Sequence, residues 1–413
     1  MNQSAEQAPV ASRHPGAIRM GIIAFFSHNM AAGTIFSTFS VMLASVVARR
    51  GVTTEQAAVG IPLVVIGSLL LAPVVGVLVA RYPLRYVLRA GALMIALAFI
   101  LLAYTTSYTA YLAVHALLLG PGSAVCGAVA PATLVTRWFG GKSGLTLGIV
   151  HLPLIVIAMP VTANYLNETY GAQVTYVALA SLLALILVPL TFFITDHPPG
   201  GEPRTPVEAA GTTADGSLSV LQFLMMPRFW IIALAGAALT TGSVTMGAMV
   251  VPMTGSWGVM HDQAAMLVSF TALFGVAGAI TFGWVADRIG GARGLALLTA
   301  IVSVLWFALL LHPRFPSIIM VNGLMGMCGA GIIPNLSRAI SDTFGQRSFS
   351  RGFGLSMTIG LPFTLVAVPG FPWIYRITGT YSPAIMALAT FYAIGCLFAL
   401  AASRAGPLPA AAR

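Results

Sequence analysis

Residues 51–58 read GVTTEQAA and residues 258–265 read GVMHDQAA. Gly51-Val52-x-x-Glu55-Gln56-Ala57-Ala58 thus returns 207 residues later as Gly258-Val259-x-x-Asp262-Gln263-Ala264-Ala265. At the same spacing Gly76 matches Gly283 and Arg81 matches Arg288. At a spacing of 209, Leu152-Pro153 and Pro160 match Leu361-Pro362 and Pro369. A series of matches in register means that one half of the chain copies the other.

The duplicated unit is apolar. Of 413 residues, 58% are hydrophobic and 7% charged, against about 25% charged in soluble domains, so water does not solvate most of this surface. Apolar stretches of about 20 residues each span a bilayer core of about 30 Å. Twelve such spans read at 19–48, 56–80, 86–106, 108–136, 143–167, 172–195, 229–254, 262–286, 292–311, 315–342, 352–376 and 381–403. Prolines inside them (Pro62, Pro73, Pro121, Pro131, Pro153, Pro160) would break soluble helices but are tolerated where neighbouring helices satisfy the freed backbone groups. Residues 195–227, rich in Pro, Gly, Thr and Ala, read as a flexible connection.

The expectation is an all-α membrane protein of twelve transmembrane helices in two six-helix bundles related by a pseudo-twofold axis along the membrane normal, with a site between them near the midplane. The domain division follows: cytoplasmic tail 1–18, first bundle 19–195, cytoplasmic linker 196–228, second bundle 229–403 and cytoplasmic tail 404–413. With the N-terminus cytoplasmic, fifteen cations fall on that side and four (Arg49, Arg50, Arg314, Arg376) on the other, so both termini are expected inside. Residues 1–19 are polar and lack an apolar signal core, leaving the first span as the targeting element.

Several function classes drop out. The net charge of +10 comes from arginines scattered singly or in pairs, with Lys142 the only lysine, and forms no basic stripe for nucleic acid. Cys126, Cys328 and Cys396 lie in separate apolar spans without metal-ligand spacing, so neither a disulfide framework nor a metal is expected. No phosphate loop or nucleophile triad is present, which excludes an ATP-driven pump. No cofactor is expected, and the chain is not expected to be an enzyme.

Gly283-Trp284-Val285-Ala286-Asp287-Arg288-Ile289-Gly290 resembles the major facilitator superfamily's signature between the second and third helices of a half. Gly76-Val77-Leu78-Val79-Ala80-Arg81 is its degraded copy, with Ala80 in place of the acid. Arg137-Trp138-Phe139 with Gly144-Leu145-x-x-Gly148-Ile149 is similar to the oxalate/formate antiporter and monocarboxylate transporter branch. So are Tyr170-Gly171, Pro227-Arg228-Phe229-Trp230 and Phe344-Gly345. The resemblance spans essentially the whole chain. It implies the major facilitator fold, alternating access and small carboxylates as substrates. The sequence departs from the branch at Ala279, where an arginine is frequent, and has no lysine in helices one or eleven.

None of the ten carboxylates lies deep in a span: Glu55 and Asp262 open helices, Glu168, Asp287 and Asp342 close them, and the rest lie in the tail and linker. Any proton relay in the protein therefore falls to histidine. His28, beside Asn29, sits about 12 Å along helix one at about 1.5 Å per residue. His151 and His115 lie about two turns into helices five and four. Such groups cost several kcal/mol unless they face a cavity or partner. An interhelical structural bond is the plainer account of each. Thr34 and Thr38 match Thr241 and Thr245 at the 207 spacing, each pair on one helix face. They either line a cavity, as helices one and seven do in the superfamily, or bond back to the i−4 carbonyl.

Arg338, after Pro334-Asn335, is the cation set inside a span. It serves either as a partner to Asp342 or Asp287 or as a bidentate contact for an anion. Arg81, Asp287, Arg288, Asp342, Arg347 and Arg351 are expected to form a cytoplasmic gate. The substrate-binding candidates are His28, Asn29, Thr34, Thr38, His115, His151, Thr241, Thr245, Asn335 and Arg338. The reading is a monomeric secondary carrier of a small organic anion (a mono- or dicarboxylate or an aromatic acid) in the bacterial inner membrane, in contact with lipid, with proton coupling left open. An exporter of lipophilic compounds and a transport-dead membrane sensor are the alternatives.

Overall fold

The computed structural model describes residues 15–199, 218–311 and 314–404. Most of the expected tails and the middle of the expected linker therefore lie outside the described residues. The described chain is helical, without a strand. Its helices are α1 (Pro15–Ala32), α2 (Phe39–Arg50), α3 (Gly60–Arg81), α4 (Leu84–Tyr104), α5 (Tyr108–Phe139), α6 (Ser143–Val150), α7 (Leu154–Leu182), α8 (Pro227–Gly255), α9 (His261–Ile289), α10 (Gly291–Leu309), α11 (Phe315–Ala330), α12 (Ile332–Thr378) and α13 (Ser382–Arg404).

Among the described residues, nine helical stretches are long and apolar enough to cross a membrane, or ten with α1 and α2 counted as one bent span. Two of these, Ser143–Phe193 and Phe315–Thr378, run 51 and 64 residues. A single crossing needs about 20, so each holds two. Each changes direction at a glycine that no L side chain would replace without strain: Gly171 at φ 81° and Gly345 at φ 79°. Twelve crossings result. Large apolar side chains on the outer surface, such as Leu185 at 75% exposure, fit a lipid surround.

The described residues form two compact units. In the first, α1 and α3 both pack on α5, and α4 packs on α7. In the second, α8 lies along α12, α10 along α13 and α9 along α11. Gly141–Ile149 clusters with the second unit. The duplication is visible in the backbone itself. Among the described residues seven glycines have positive φ, and six of them pair across the copies: Gly51 with Gly258, Gly140 with Gly345, and Gly171 with Gly379.

Local sequence sets the helix ends. Thr53 and Gln56 close a capping box at the entry to α3: the Thr53 hydroxyl accepts the Gln56 N–H at 3.2 Å, and Gln56 Oε1 accepts the Thr53 N–H at 3.0 Å. Both described flanks of the expected linker are ordered. Asp196 accepts the Leu84 N–H at the start of α4 (3.1 Å) and pairs with Arg137 at 3.4 Å. Ser219 and Gln222 form a second capping box ahead of Val220–Met225.

Candidate functional site

Helix five is interrupted. α6 ends at Val150, His151 to Pro153 leave helical geometry, and α7 begins at Leu154. Proline has no N–H to continue the ladder, and a freed carbonyl in a bilayer needs a partner. Asn29 of α1 provides it. Its Nδ2 donates to Val150 O at 3.0 Å, while its Oδ1 accepts the Ile155 N–H at 3.4 Å. One amide thus serves both ends of the break.

The break brings His151 against His28, with ring centroids 4.0 Å apart and planes tilted by 46°. His28 Nδ1 lies 2.6 Å from Gly127 O. A carbonyl oxygen only accepts, so Nδ1 carries the hydrogen and Nε2 is left as the basic nitrogen. Both imidazoles are half-buried and Asn29 is fully buried. Next to them the backbone is irregular: α1 passes into a widened π turn at Gly33–Ser37, and α5 contains two, His115–Leu119 and Ala124–Val129.

The other candidates make contacts of their own. Thr34 and Thr38 are buried and donate to Met30 O and Thr34 O, both at 2.7 Å, within their own helix. Thr245 does the same to Thr241 O. Thr241 reaches across to α12, to Gly360 O at 3.4 Å and the Thr364 hydroxyl at 3.2 Å. His115 is buried 4.2 Å from the Tyr111 ring, its Nδ1 2.8 Å from Tyr111 O. Asn335 is fully buried and donates to Phe282 O and Gly331 O, while Arg338 Nε meets Asp342 Oδ1 at 3.0 Å, one turn on.

Among the gate candidates, Asp287 makes the most specific contact. Its two oxygens accept the Gly144 and Leu145 N–H groups, each at 2.8 Å, at the first turn of α6. A carboxylate on the unsatisfied N–H groups of a helix start is favourable both as a cap and against the helix dipole. Glycines make the approach possible: a Cβ on Gly144 or Gly148 would run into the α9 backbone at Gly283 or Ala279. Asp342 accepts the Gly291 N–H at 3.4 Å, and Arg351 donates to Leu218 O at 3.2 Å. Arg288 stacks over Trp284 and Arg81 over Tyr82, and Arg347 is exposed.

Among the buried polar residues that sequence reading passed over, Asn322 stands at a position the repeat marks. Asn322 of α11 is fully buried and lines a cavity of about 270 Å3 within the second unit. It stands 207 residues after His115. The repeat spacing that paired the threonines would have found it.

The profile of the Major Facilitator Superfamily matches residues 22–253, more than half the chain. The chain belongs to that superfamily. It is a multi-pass membrane transporter. Among its relatives, the uncharacterized MFS-type transporter YcxA of Bacillus subtilis is 24% identical over 65% of this chain and 67% of its own length. Monocarboxylate transporter 12-B of Danio rerio is 28% identical over 49% of this chain, and the rat monocarboxylate transporter 12 is 26% identical over 40%. The matched stretches are 42% and 35% of those two proteins, so the chain spans less than half of each. In fold it is similar to the E. coli fucose:proton symporter FucP, with TM-score 0.71 and 14% identity over 94% of this chain and 98% of that one. A bacterial homologue of the iron transporter ferroportin gives 0.70 and 13% over 95% and 100%.

Proposed function

We propose that this transporter is a secondary carrier of a small organic anion, a mono- or dicarboxylate or an aromatic acid, working by rocker-switch alternating access. The observation that carries the reading is the His28–His151 pair, 4.0 Å apart at an unwound stretch of helix five. Discontinuous helices at membrane depth mark solute sites in carriers. Ionisable groups there are costly unless they serve one. No acid of the chain's own lies deep in a span, so a proton taken up at His28 Nε2 has no resident counter-ion. An entering carboxylate supplies it. Imidazolium and carboxylate then cross as a neutral pair, and loss of the proton on the far side releases the anion. The names of the monocarboxylate transporter relatives agree with this substrate class.

His28, Asn29 and His151 of the first unit form the core of the proposed site, and Thr241 and Arg338 are kept as candidate substrate contacts of the second. Thr34, Thr38, His115 and Thr245, whose polar groups are already engaged, and Asn335, whose amide NH2 donates to two carbonyls, each hold helices of their own unit together. Asp287, Arg288, Asp342, Arg347, Arg351 and Arg81 act as the cytoplasmic gate in this scheme. Alternating access needs contacts that break and re-form, and a carboxylate on a helix start is one that water readily replaces. The protein works as a monomer in a bacterial inner membrane. Its bundles are 19–195 and 229–403, joined by the cytoplasmic linker 196–228, and both tails are cytoplasmic.

Proteoliposomes test this with radiolabelled lactate, succinate and benzoate. Uptake of at least one is expected, together with competition by unlabelled short-chain acids. The double variant His28→Ala/His151→Ala loses uptake by about 100-fold, the scale for removing a desolvated charge partner. Full uptake by that variant removes the proposed site. Inhibition by hydrophobic dyes, without any acid uptake, would replace the carboxylate reading with export of lipophilic compounds.

A further inference from the structure

α4 is 21 residues long, about 31 Å at about 1.5 Å per residue, which matches a hydrocarbon core of about 30 Å. It opens with Leu84-Arg85-Tyr86-Val87-Leu88-Arg89. Arg85 and Arg89 lie one turn apart on one face. Helical side chains lean toward the N-terminus, so both reach back into the headgroup layer.

Arg85 is exposed and Arg89 half-buried, and among the described residues neither makes an ion pair. Asp196, the acid at this helix start, is already engaged by the Leu84 N–H at 3.1 Å and by Arg137 at 3.4 Å. The two guanidiniums rest on rings instead. Arg85 Cζ stands 4.9 Å and Arg89 Cζ 5.7 Å from the centre of the Tyr86 ring, and Arg89 Cζ lies 3.8 Å from that of Phe192. Arg85 Nη2 donates to the Tyr86 hydroxyl at 3.3 Å. Arg89 Nε donates to the Thr191 hydroxyl at 3.1 Å, whose own hydrogen goes to Val188 O at 2.7 Å. That bond steadies Arg89 and leaves both its Nη groups as surface donors. An arginine that only snorkels keeps its head in water. These two are set on rings, and one is anchored.

Beneath them the surface is apolar. Leu93, Leu97 and Leu101 continue the four-residue spacing from Arg89 and are exposed. α4 packs against Leu183–Leu187 and Thr191–Phe193, where Leu185, Phe192 and Phe193 are exposed too. Two placed cations thus stand over an apolar, lipid-facing seam between neighbouring helices. A free anion would use the cations and leave the seam idle. A phospholipid uses both.

The second copy lacks the pair. At the 207 spacing Arg85 and Arg89 answer to Ala292 and Ala296, and Tyr86 answers to Arg293. Asp342 meets the first N–H of α10 as Asp196 meets that of α4, so the frame is kept and the paired cations are not.

We propose that the seam between the start of α4 and Thr191–Phe193 binds one anionic phospholipid, its phosphate held by Arg85 and Arg89 and its acyl chains laid along the exposed leucines. Arginine presents its donors in a fork that fits phosphate oxygens. Basic recesses between membrane helices hold such headgroups. The His28–His151 pair takes no part, so this site and the carrier reading fail separately.

The test is native mass spectrometry of delipidated full-length protein, with phosphatidylglycerol or phosphatidylcholine of the same acyl chains added. One phosphatidylglycerol is expected to be retained about 30-fold more tightly than phosphatidylcholine, the worth of two cations at a charged membrane surface. Arg85→Gln/Arg89→Gln brings the two lipids to equal affinity, and Arg85→Lys/Arg89→Lys keeps most of the preference. Arg85→Gln alone, at an exposed side chain that the fold does not need, lowers the preference about fivefold. Arg293→Gln leaves it unchanged. Equal retention of both lipids by the unaltered protein overturns the proposal. So does a preference that survives Arg85→Gln and the double Gln substitution. Displacement of phosphatidylglycerol by inorganic phosphate would make this a site for a free anion and overturns the lipid assignment.

Discussion

Leu152-Pro153 and Leu361-Pro362 are the same dipeptide in two copies, and the chain treats them in opposite ways. At Pro153 the helix opens over three residues, and Asn29 binds both broken ends. At Pro362 the helix runs on within α12, with Gly360 O accepting the Thr364 hydroxyl at 3.0 Å and the Thr241 hydroxyl at 3.4 Å. The difference lies in the neighbours. His28, Asn29 and His151 answer to Ala235, Gly236 and Gly360 in the second copy. Where a side chain amide is present, the break is held open. Where only hydroxyls on a helix face are offered, it closes. The first copy also carries the π turns seen among the described residues, whereas the second copy's described helices contain none. Duplication supplied two frames, and polar substitutions made one of them irregular.

Among single substitutions the largest effect is expected at Asn29. Asn29→Leu leaves Val150 O and the Ile155 N–H without their partner in an apolar setting. The cost is about 2 kcal/mol in unfolding free energy by SDS titration, with uptake down about 30-fold. A loss under 0.5 kcal/mol would mean that the break supports itself, and the contrast between the copies would lose its cause.

Pro153→Ala comes next. An N–H at position 153 lets the helix close across His151 and draws its ring from His28, so uptake falls about tenfold. The mispositioning of a reacting group costs on this scale or more. Pro362→Ala, in a helix already continuous, leaves uptake within about twofold. Equal effects of the two substitutions would show that both prolines serve only as hinges.

How much of this was legible beforehand differs by level. The twelve crossings, the duplication and the family were readable, because hydropathy and repeat spacing are written along the chain. His28 and His151 were each singled out by depth, yet their pairing was not, since they lie 123 residues apart and meet only because helix five opens. Pro153 and Pro160 read alike as prolines inside one span, but Pro160 sits inside continuous α7. What a proline does depends on which groups stand opposite it, and that is tertiary information. Asp196, the first residue of the expected linker, accepts the Leu84 N–H and pairs with Arg137, contacts that composition does not reveal. The back-bonded hydroxyls of Thr34, Thr38 and Thr245 were one of two readings left open, and composition alone does not choose between them.

A smaller effect sharpens the comparison at the signature motif. Asp287 caps the first turn of α6, and its counterpart in the first copy is Ala80. Asp287→Ala removes a charged cap at a helix start, worth about 1 kcal/mol. Ala80→Asp gains less than half of that, since a cap is worth something only where N–H groups stand unpaired. Thermal unfolding of the two variants in detergent measures both. A matching gain at position 80 would mean that the copies kept equivalent geometry there and that only the side chain was lost.

The smallest effect is expected at Thr241, where the second copy's proline helix receives outside help. Thr241→Val keeps the shape and removes one hydroxyl. Gly360 O retains the Thr364 hydroxyl, and the Thr364 oxygen, an acceptor toward Thr241, already donates its own hydrogen to that carbonyl. No buried donor is orphaned, so the cost is about 0.6 kcal/mol, the average for interhelical hydrogen bonds in membranes. A loss above about 2 kcal/mol would match the cost expected at Asn29. It would then be α8 that holds the Pro362 region straight, as α1 holds the Pro153 region open, and the two copies would differ only in the direction of the same support.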